Sequence, residues 1–103
     1  MSGYRVKYME DRVSEEKLDK YKEITGKAID LAEKNISEDG KLKKIAEDYL
    51  DMAKRYFEDS KHFRDKGDYV TAFAALNYAH GFLDAGARIK AFKVKDDKLF
   101  ASD

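Results

Sequence analysis

The stretch Lys66-Gly67-Asp68-Tyr69-Val70-Thr71-Ala72-Phe73-Ala74-Ala75-Leu76-Asn77-Tyr78-Ala79-His80-Gly81-Phe82-Leu83-Asp84-Ala85-Gly86-Ala87-Arg88 decides the fold. Its Gly-Asp pair is the sharpest punctuation in a chain without Pro. Gly supplies the left-handed residue that closes a preceding helix, and Asp caps the N-terminus of the next. A third helix is predicted from Tyr69 to about Phe92. Between Tyr69 and Ala87 its only formal charge is Asp84. Ala72, Ala75, Ala79 and Gly86 fall along one line, flanked by Leu76 and Leu83 on one side and by Tyr78, Phe82 and Ile89 on the other. Small residues in a row let neighbouring helices approach closely, while the large side chains grip either flank. This helix is expected at the centre of a bundle.

Working outward, two more helical stripes precede it. Leu18, Tyr21, Ile24, Thr25, Ala28, Leu31 and Ala32 recur at spacings of three and four, after Ser14 as a predicted N-cap. A helix from Ser14 to about Lys34 follows. Asn35 to Gly40 reads as a turn, and a second helix runs to about Lys66. Its inward set is Leu42, Ile45, Ala46, Tyr49, Met52, Ala53, Tyr56, Ser60 and Phe63. On its outer face Lys43 and Glu47, Lys44 and Asp48, Asp51 and Arg55, and Lys54 and Glu58 alternate in sign, the pattern of a solvated surface. Short connections imply antiparallel neighbours. The fold class is therefore all-α: an antiparallel three-helix bundle, up-down-up, with short N- and C-terminal extensions. The expected division is an N-terminal extension (residues 1–13), the bundle (14–92) and a C-terminal tail (93–103). Tyr4 to Tyr8 and Phe92 to Lys95 alternate like strands, but frayed or helical ends are the expectation for both.

Composition narrows the function classes. Lys plus Arg and Asp plus Glu number 21 each, so the net charge is zero and there is no global basic field for nucleic acid or anionic lipid. Without Cys there are no disulfides, thiolate metal sites or thiol nucleophiles. No apolar run approaches the roughly 20 residues of a membrane span, and the N-terminus lacks a secretory core, so a cytoplasmic address is expected. Gln is absent and Asn occurs only at Asn35 and Asn77, while Lys and Glu abound, a thermophile-like usage.

The quoted stretch, with its Gly-Asp-Tyr opening, Tyr-Ala-His-Gly core and following Leu-Asp-Ala, resembles the archaeal family known as domain of unknown function 357. Upstream, Tyr56-Phe57-Glu58-Asp59-Ser60-Lys61-His62-Phe63 fits the same pattern. The resemblance spans about Ser14 to Ile89. It implies a small archaeal helical bundle and no particular activity.

Four residues make the best candidate site. Asn77, His80, Asp84 and Arg88 form one polar stripe on an otherwise apolar helix, and the steps from His80 to Asp84 and from Asp84 to Arg88 are both i,i+4. They could form a binding ledge for a ligand or partner; the ordinary alternative is a solvent-facing edge with a salt bridge. His62 follows Glu58 and Asp59, but a carboxylate-bridged metal bundle needs inward Glu and His motifs from several helices, so no metal is expected. Arg55 and His62 have a spacing used by helical ribonucleases of the type named for higher eukaryote and prokaryote nucleotide-binding domains, yet both fall on the charged outer face. Arg88, Lys90, Lys93, Lys95 and Lys98 cluster, but Asp96 and Asp97 interrupt them, and they read as a solubilising tail. Tyr21, Tyr49, Tyr56, Tyr69 and Tyr78 read as core.

The reading these observations favour is a non-enzymatic protein-interaction or self-associating module, with no catalytic residues and no cofactor. A protein partner or homodimer is expected, a membrane is not, and nucleic acid is disfavoured. The alternative is an RNA- or nucleotide-processing helical domain. The association argument rests on the third helix, whose apolar arc exceeds what two neighbours cover; either a second chain or the Tyr4–Met9 segment should complete the cover.

Overall fold

In the computed structural model, which describes residues 13–100, the Gly-Asp pair does what its chemistry dictates. Gly67 takes φ 82°, the Asp68 amide donates to the Phe63 carbonyl at 2.9 Å, and the Gly67 amide donates to the Arg64 carbonyl at 2.9 Å. These paired bonds are a Schellman motif, which satisfies carbonyls that the end of a helix would otherwise leave bare. Asp68 then accepts from the Thr71 amide at 3.1 Å and starts the next helix. The three helices are α1 (Glu15–Glu33), α2 (Gly40–Asp65) and α3 (Tyr69–Arg88). Ser14 caps α1 through the Lys17 amide at 3.0 Å, and Asp39 caps α2 through the amides of Lys41 and Leu42, each at 3.1 Å. The chain is an all-α three-helix bundle.

The small-residue line on α3 is its contact face. Ala72, Ala75, Ala79 and Gly86 are all buried, as are Leu76 and Leu83. Ala79 and Leu83 share a core with Ala28, Ile29 and Ala32 of α1 and Ala46, Leu50 and Ala53 of α2, while Ala72 and Leu76 pack with Leu18 of α1 in a second cluster. α3 is packed against both other helices, whereas α1 and α2 touch each other sparingly. Their ends are tied instead by charge: Arg64, near the end of α2, bonds Asp19 and, at 2.9 Å, Glu15 on the first turns of α1. Hydrogen bonding to Asp19 first and Glu15 second holds the guanidinium above its ordinary value. On the outer face of α2, Arg55 meets Asp51 at 3.1 Å as expected, but Lys54 reaches across to Glu33 of α1 at 2.7 Å.

The C-terminal end departs from expectation. α3 stops at Arg88, four residues before the predicted end, in a second Schellman motif: the Ala91 amide donates to the Gly86 carbonyl at 2.8 Å and the Lys90 amide to the Ala87 carbonyl at 3.1 Å. Lys90 occupies the left-handed position, φ 68°, where glycine is preferred. The chain then turns back as a strap, residues 91–100, neither frayed nor helical. Phe92 (1% exposed) and Phe100 (4%) enter the core. An antiparallel bridge ties Phe92 to Ile36 in the α1–α2 turn: the Ser37 amide donates to the Ala91 carbonyl at 2.9 Å and the Lys93 amide to the Asn35 carbonyl at 2.7 Å. Two buried aromatic rings outweigh what a strap of lysines and aspartates gains from full hydration. The strap therefore supplies a third cover for α3, over Gly86 and beside His80, while Val70, Tyr78 and Ile89 stay exposed. The Tyr4–Met9 segment, the other expected cover, lies outside the described residues.

Candidate functional site

The polar stripe of α3 divides in space. His80 turns toward α1 and the strap, where its Nδ1 lies 3.1 Å from the Thr25 hydroxyl and its Nε2 meets the Leu99 carbonyl. A carbonyl can only accept, so Nε2 carries the proton, and in the neutral ring Nδ1 accepts from Thr25. Asp84 stands 3.8 Å from Nε2, one helical turn along. The Phe100 ring lies 6.5 Å from the imidazole, centre to centre. Asp96 shapes the strap's last turn by accepting from the amides of Lys98 and Leu99 at 2.9 and 3.2 Å.

A hydroxyl, an imidazole and a carboxylate in sequence have the composition of a nucleophile relay. Two features give this one another role. Thr25 is 2% exposed, so no substrate reaches its oxygen. The imidazole nitrogen nearer the acid is engaged by the strap's backbone. A relay needs an accessible nucleophile and a base free to take its proton. His80 is a clamp: one ring joins α1, α3 and the strap, and satisfies the buried Thr25 hydroxyl and the Leu99 carbonyl.

Asn77 lies on the other side of the stripe. It is exposed and lines a shallow concavity of about 260 Å³ with Tyr49, Tyr78, Gly81, Phe82 and Ala85. Arg88 is exposed as well. The rings around this concavity form a ladder. Tyr56 stacks on Tyr78 (5.3 Å between centroids) and on Phe82 (6.0 Å), and Tyr49 meets Phe82 edge-on at 5.5 Å. The expectation that Tyr21, Tyr49, Tyr56, Tyr69 and Tyr78 are core holds in part: Tyr49, Tyr56 and Tyr69 are half-buried against the core, whereas Tyr21 and Tyr78 (62% exposed) lie outside it. A phenol keeps its hydroxyl in water while its ring covers apolar surface, so tyrosines gather at the edge of a core.

The remaining candidates sit apart. His62 is exposed and makes an edge contact with Phe63. Among the described residues no three His, Asp or Glu side chains converge as metal ligands. A larger groove of about 860 Å³ runs between α1 and α2 over Gly26, Ile29 and Phe57, with Lys and Glu on both walls. No helix of the described residues is long and apolar enough to cross a membrane.

These features define a class: a three-helix bundle whose central helix is clamped by its own C-terminal strap, with an aromatic ladder beside α3. The chain belongs to the family described as "Protein of unknown function (DUF357)", whose model matches residues 20–92 and so runs past α3 to the buried Phe92. No curated protein and no solved structure matches the chain.

Proposed function

We propose that this chain is a protein-docking module whose contact surface is the outer face of α3 together with the aromatic ladder on its α2 side. The observation that carries the reading is where large apolar groups lie outside the core. Of the four large apolar groups exposed among the described residues, Val70 (54% exposed), Tyr78 (62%) and Ile89 (43%) fall within about a 100° arc of α3 and its C-cap, at 100° per residue, with Arg88 at the edge of the same arc, whereas Tyr21 (36%) lies on α1. Single exposed hydrophobics are ordinary; several on one charge-poor helix face mark an interface. Ala74, Gly81 and Ala85 between them allow another backbone to come close, and Asn77 offers a hydrogen-bonding amide at the rim.

Site-specific photo-crosslinking in cells tests this whatever the partner's identity. A photoreactive residue at position 78 should give protein adducts in clear excess over the same residue at position 55, on the outer face of α2. Equal yields from the two positions, or none from position 78, would refute the assignment of the face.

A further inference from the structure

We propose that Tyr56 and Tyr78 form an oxidative modification site, at which a one-electron oxidant joins the two rings as dityrosine and so bonds α2 to α3. The chain has no Cys and no Trp. It therefore cannot form a disulfide, and its phenols are the readiest one-electron donors it has. Among the described residues the Tyr56–Tyr78 stack is the one contact between two phenols, since Tyr21 meets Phe73 and Tyr49 meets Phe82.

Geometry selects this pair. The rings are nearly parallel, at 25°, with centroids 5.3 Å apart. Carbon atoms in contact lie about 3.5–4.0 Å apart, so the longer centroid distance means that the rings are slid past each other, the edge of one over the edge of the other. A phenoxyl radical carries its unpaired spin on the oxygen and on the ring carbons ortho and para to it. The para carbon bears Cβ, so bonding falls to the ortho carbons, which stand at the ring's edge. Tyr78 is exposed and Tyr56 half-buried, so an oxidant reaches the pair without unfolding the chain. Tyr56 belongs to α2 and Tyr78 to α3, the two helices with the most extensive packing. Coupling between rings held in this way is a reaction within one molecule, and it outruns the encounter of two chains.

The step balances with two equivalents of a peroxyl radical. Each takes the hydroxyl hydrogen of one phenol and leaves as a hydroperoxide. The two phenoxyl radicals pair their electrons in a single bond between ortho carbons. Each of those carbons then releases its hydrogen as a proton and each oxygen takes one up, which restores both aromatic rings. The net change is the loss of two hydrogen atoms. The new bond closes a loop through the α2–α3 turn and, as a disulfide would, removes freedom from the unfolded chain.

Brief oxidation of the purified full chain at low micromolar concentration, by peroxyl radicals from a water-soluble azo initiator in air, tests the proposal. Dityrosine fluorescence should appear in a product of one chain's mass less two hydrogens. Tryptic mapping should join residues 56–61 to residues 67–88, with fragmentation placing the bond at Tyr78 rather than Tyr69. Tyr56→Phe and Tyr78→Phe each keep a ring in the stack but lack the phenol, and each should lower the yield at least about tenfold, as should unfolding in urea, because the advantage of holding the rings together is lost. Tyr69→Phe should leave the yield unchanged. The cross-linked chain should melt at a higher temperature than the unoxidised one. A yield indifferent to both stack variants, equal coupling in urea, a product made mainly of covalent dimers, or an oxidised chain without this bond would overturn the assignment.

Discussion

Gly86 and Phe92 offer a test of the strap in which one substitution changes its effect when its neighbour is removed. A Cβ at Gly86 would overlap the Phe92 ring at two of its carbons, and that ring is 1% exposed with little room to retreat. Gly86→Ala therefore sets two effects against each other. Alanine in a helix interior is favoured over glycine by about 1 kcal/mol. Overpacking a closed core costs about 1–3 kcal/mol. The net in the native background is about 0–2 kcal/mol of destabilisation. Phe92→Ala alone should cost about 3–5 kcal/mol, as for a fully buried ring. In that background the overlap is gone, only the helix preference remains, and Gly86→Ala should stabilise by about 1 kcal/mol. The double-mutant cycle thus has a coupling of about 1–3 kcal/mol. Urea titrations of the four proteins, followed by circular dichroism at 222 nm, measure it. A Gly86→Ala effect that is equal in both backgrounds would show that the ring is not seated there.

Other expectations follow from the same packing. Lys90→Gly should stabilise by about 0.5–1 kcal/mol, since a non-glycine residue at left-handed φ costs about 1–2 kcal/mol and glycine's greater freedom in the unfolded chain offsets part of that; a fall in midpoint would count against the second Schellman motif. Asp68, whose hydrogen bonds to Thr71 depress its pKa, stabilises the fold above its unfolded value near 3.9, and that contribution is lost as pH falls through the lower folded value. Asp68→Asn keeps a capping side chain and should flatten this part of the acid limb, which pH titration of the melting temperature would reveal. Ala79→Leu, at a position with no exposure, should cost about 1–3 kcal/mol, and His62→Ala, on the outer face, less than about 0.5; equal effects would contradict the face assignments.

The helices were legible because each signal was local. Periodic apolar residues, Ser14, and the Gly67-Asp68 pair act within one turn of where they sit, and they placed the caps of α1 and α3 correctly. The strap was not legible, because Phe92 and Phe100 are embedded among lysines and aspartates and nothing nearby says where a lone aromatic goes. Its trace lay elsewhere in the sequence. Gly86 stands in the last turn of α3 at a position where no positive φ requires glycine, and Thr25 lies in an inward stripe with a hydroxyl that must be satisfied. Each is explained by something arriving from a distance, Phe92 in one case and His80 in the other. The candidate stripe was read as one ledge because a helical wheel records direction around an axis, not which neighbour stands there. His80 faces a covered side and Asn77 an open one. Tyr78 was assigned inward as the large partner of a small-residue line, although the surface on its side is where the core ends.

The sparse contact between α1 and α2 has a consequence for how the native state breathes. With little direct packing on α2, α1 is held by α3, by the Arg64 ion pairs at one end, and by the Thr25–His80 bond beneath the strap. Peeling the strap withdraws Leu99 from His80 and the Phe92 and Phe100 rings from the cluster that also contains Ala28, Ile29 and Ala32. The expected outcome is that the strap and α1 open together as a sub-global unit, while α2 and α3, which share the most extensive packing, remain a paired hairpin. In native-state hydrogen exchange, amides of α1 and of Ser37 and Lys93 should report a common opening free energy below that of the α2 and α3 interiors. Unequal opening free energies for α1 and the strap would show instead that the first helix and the segment after the last one move separately.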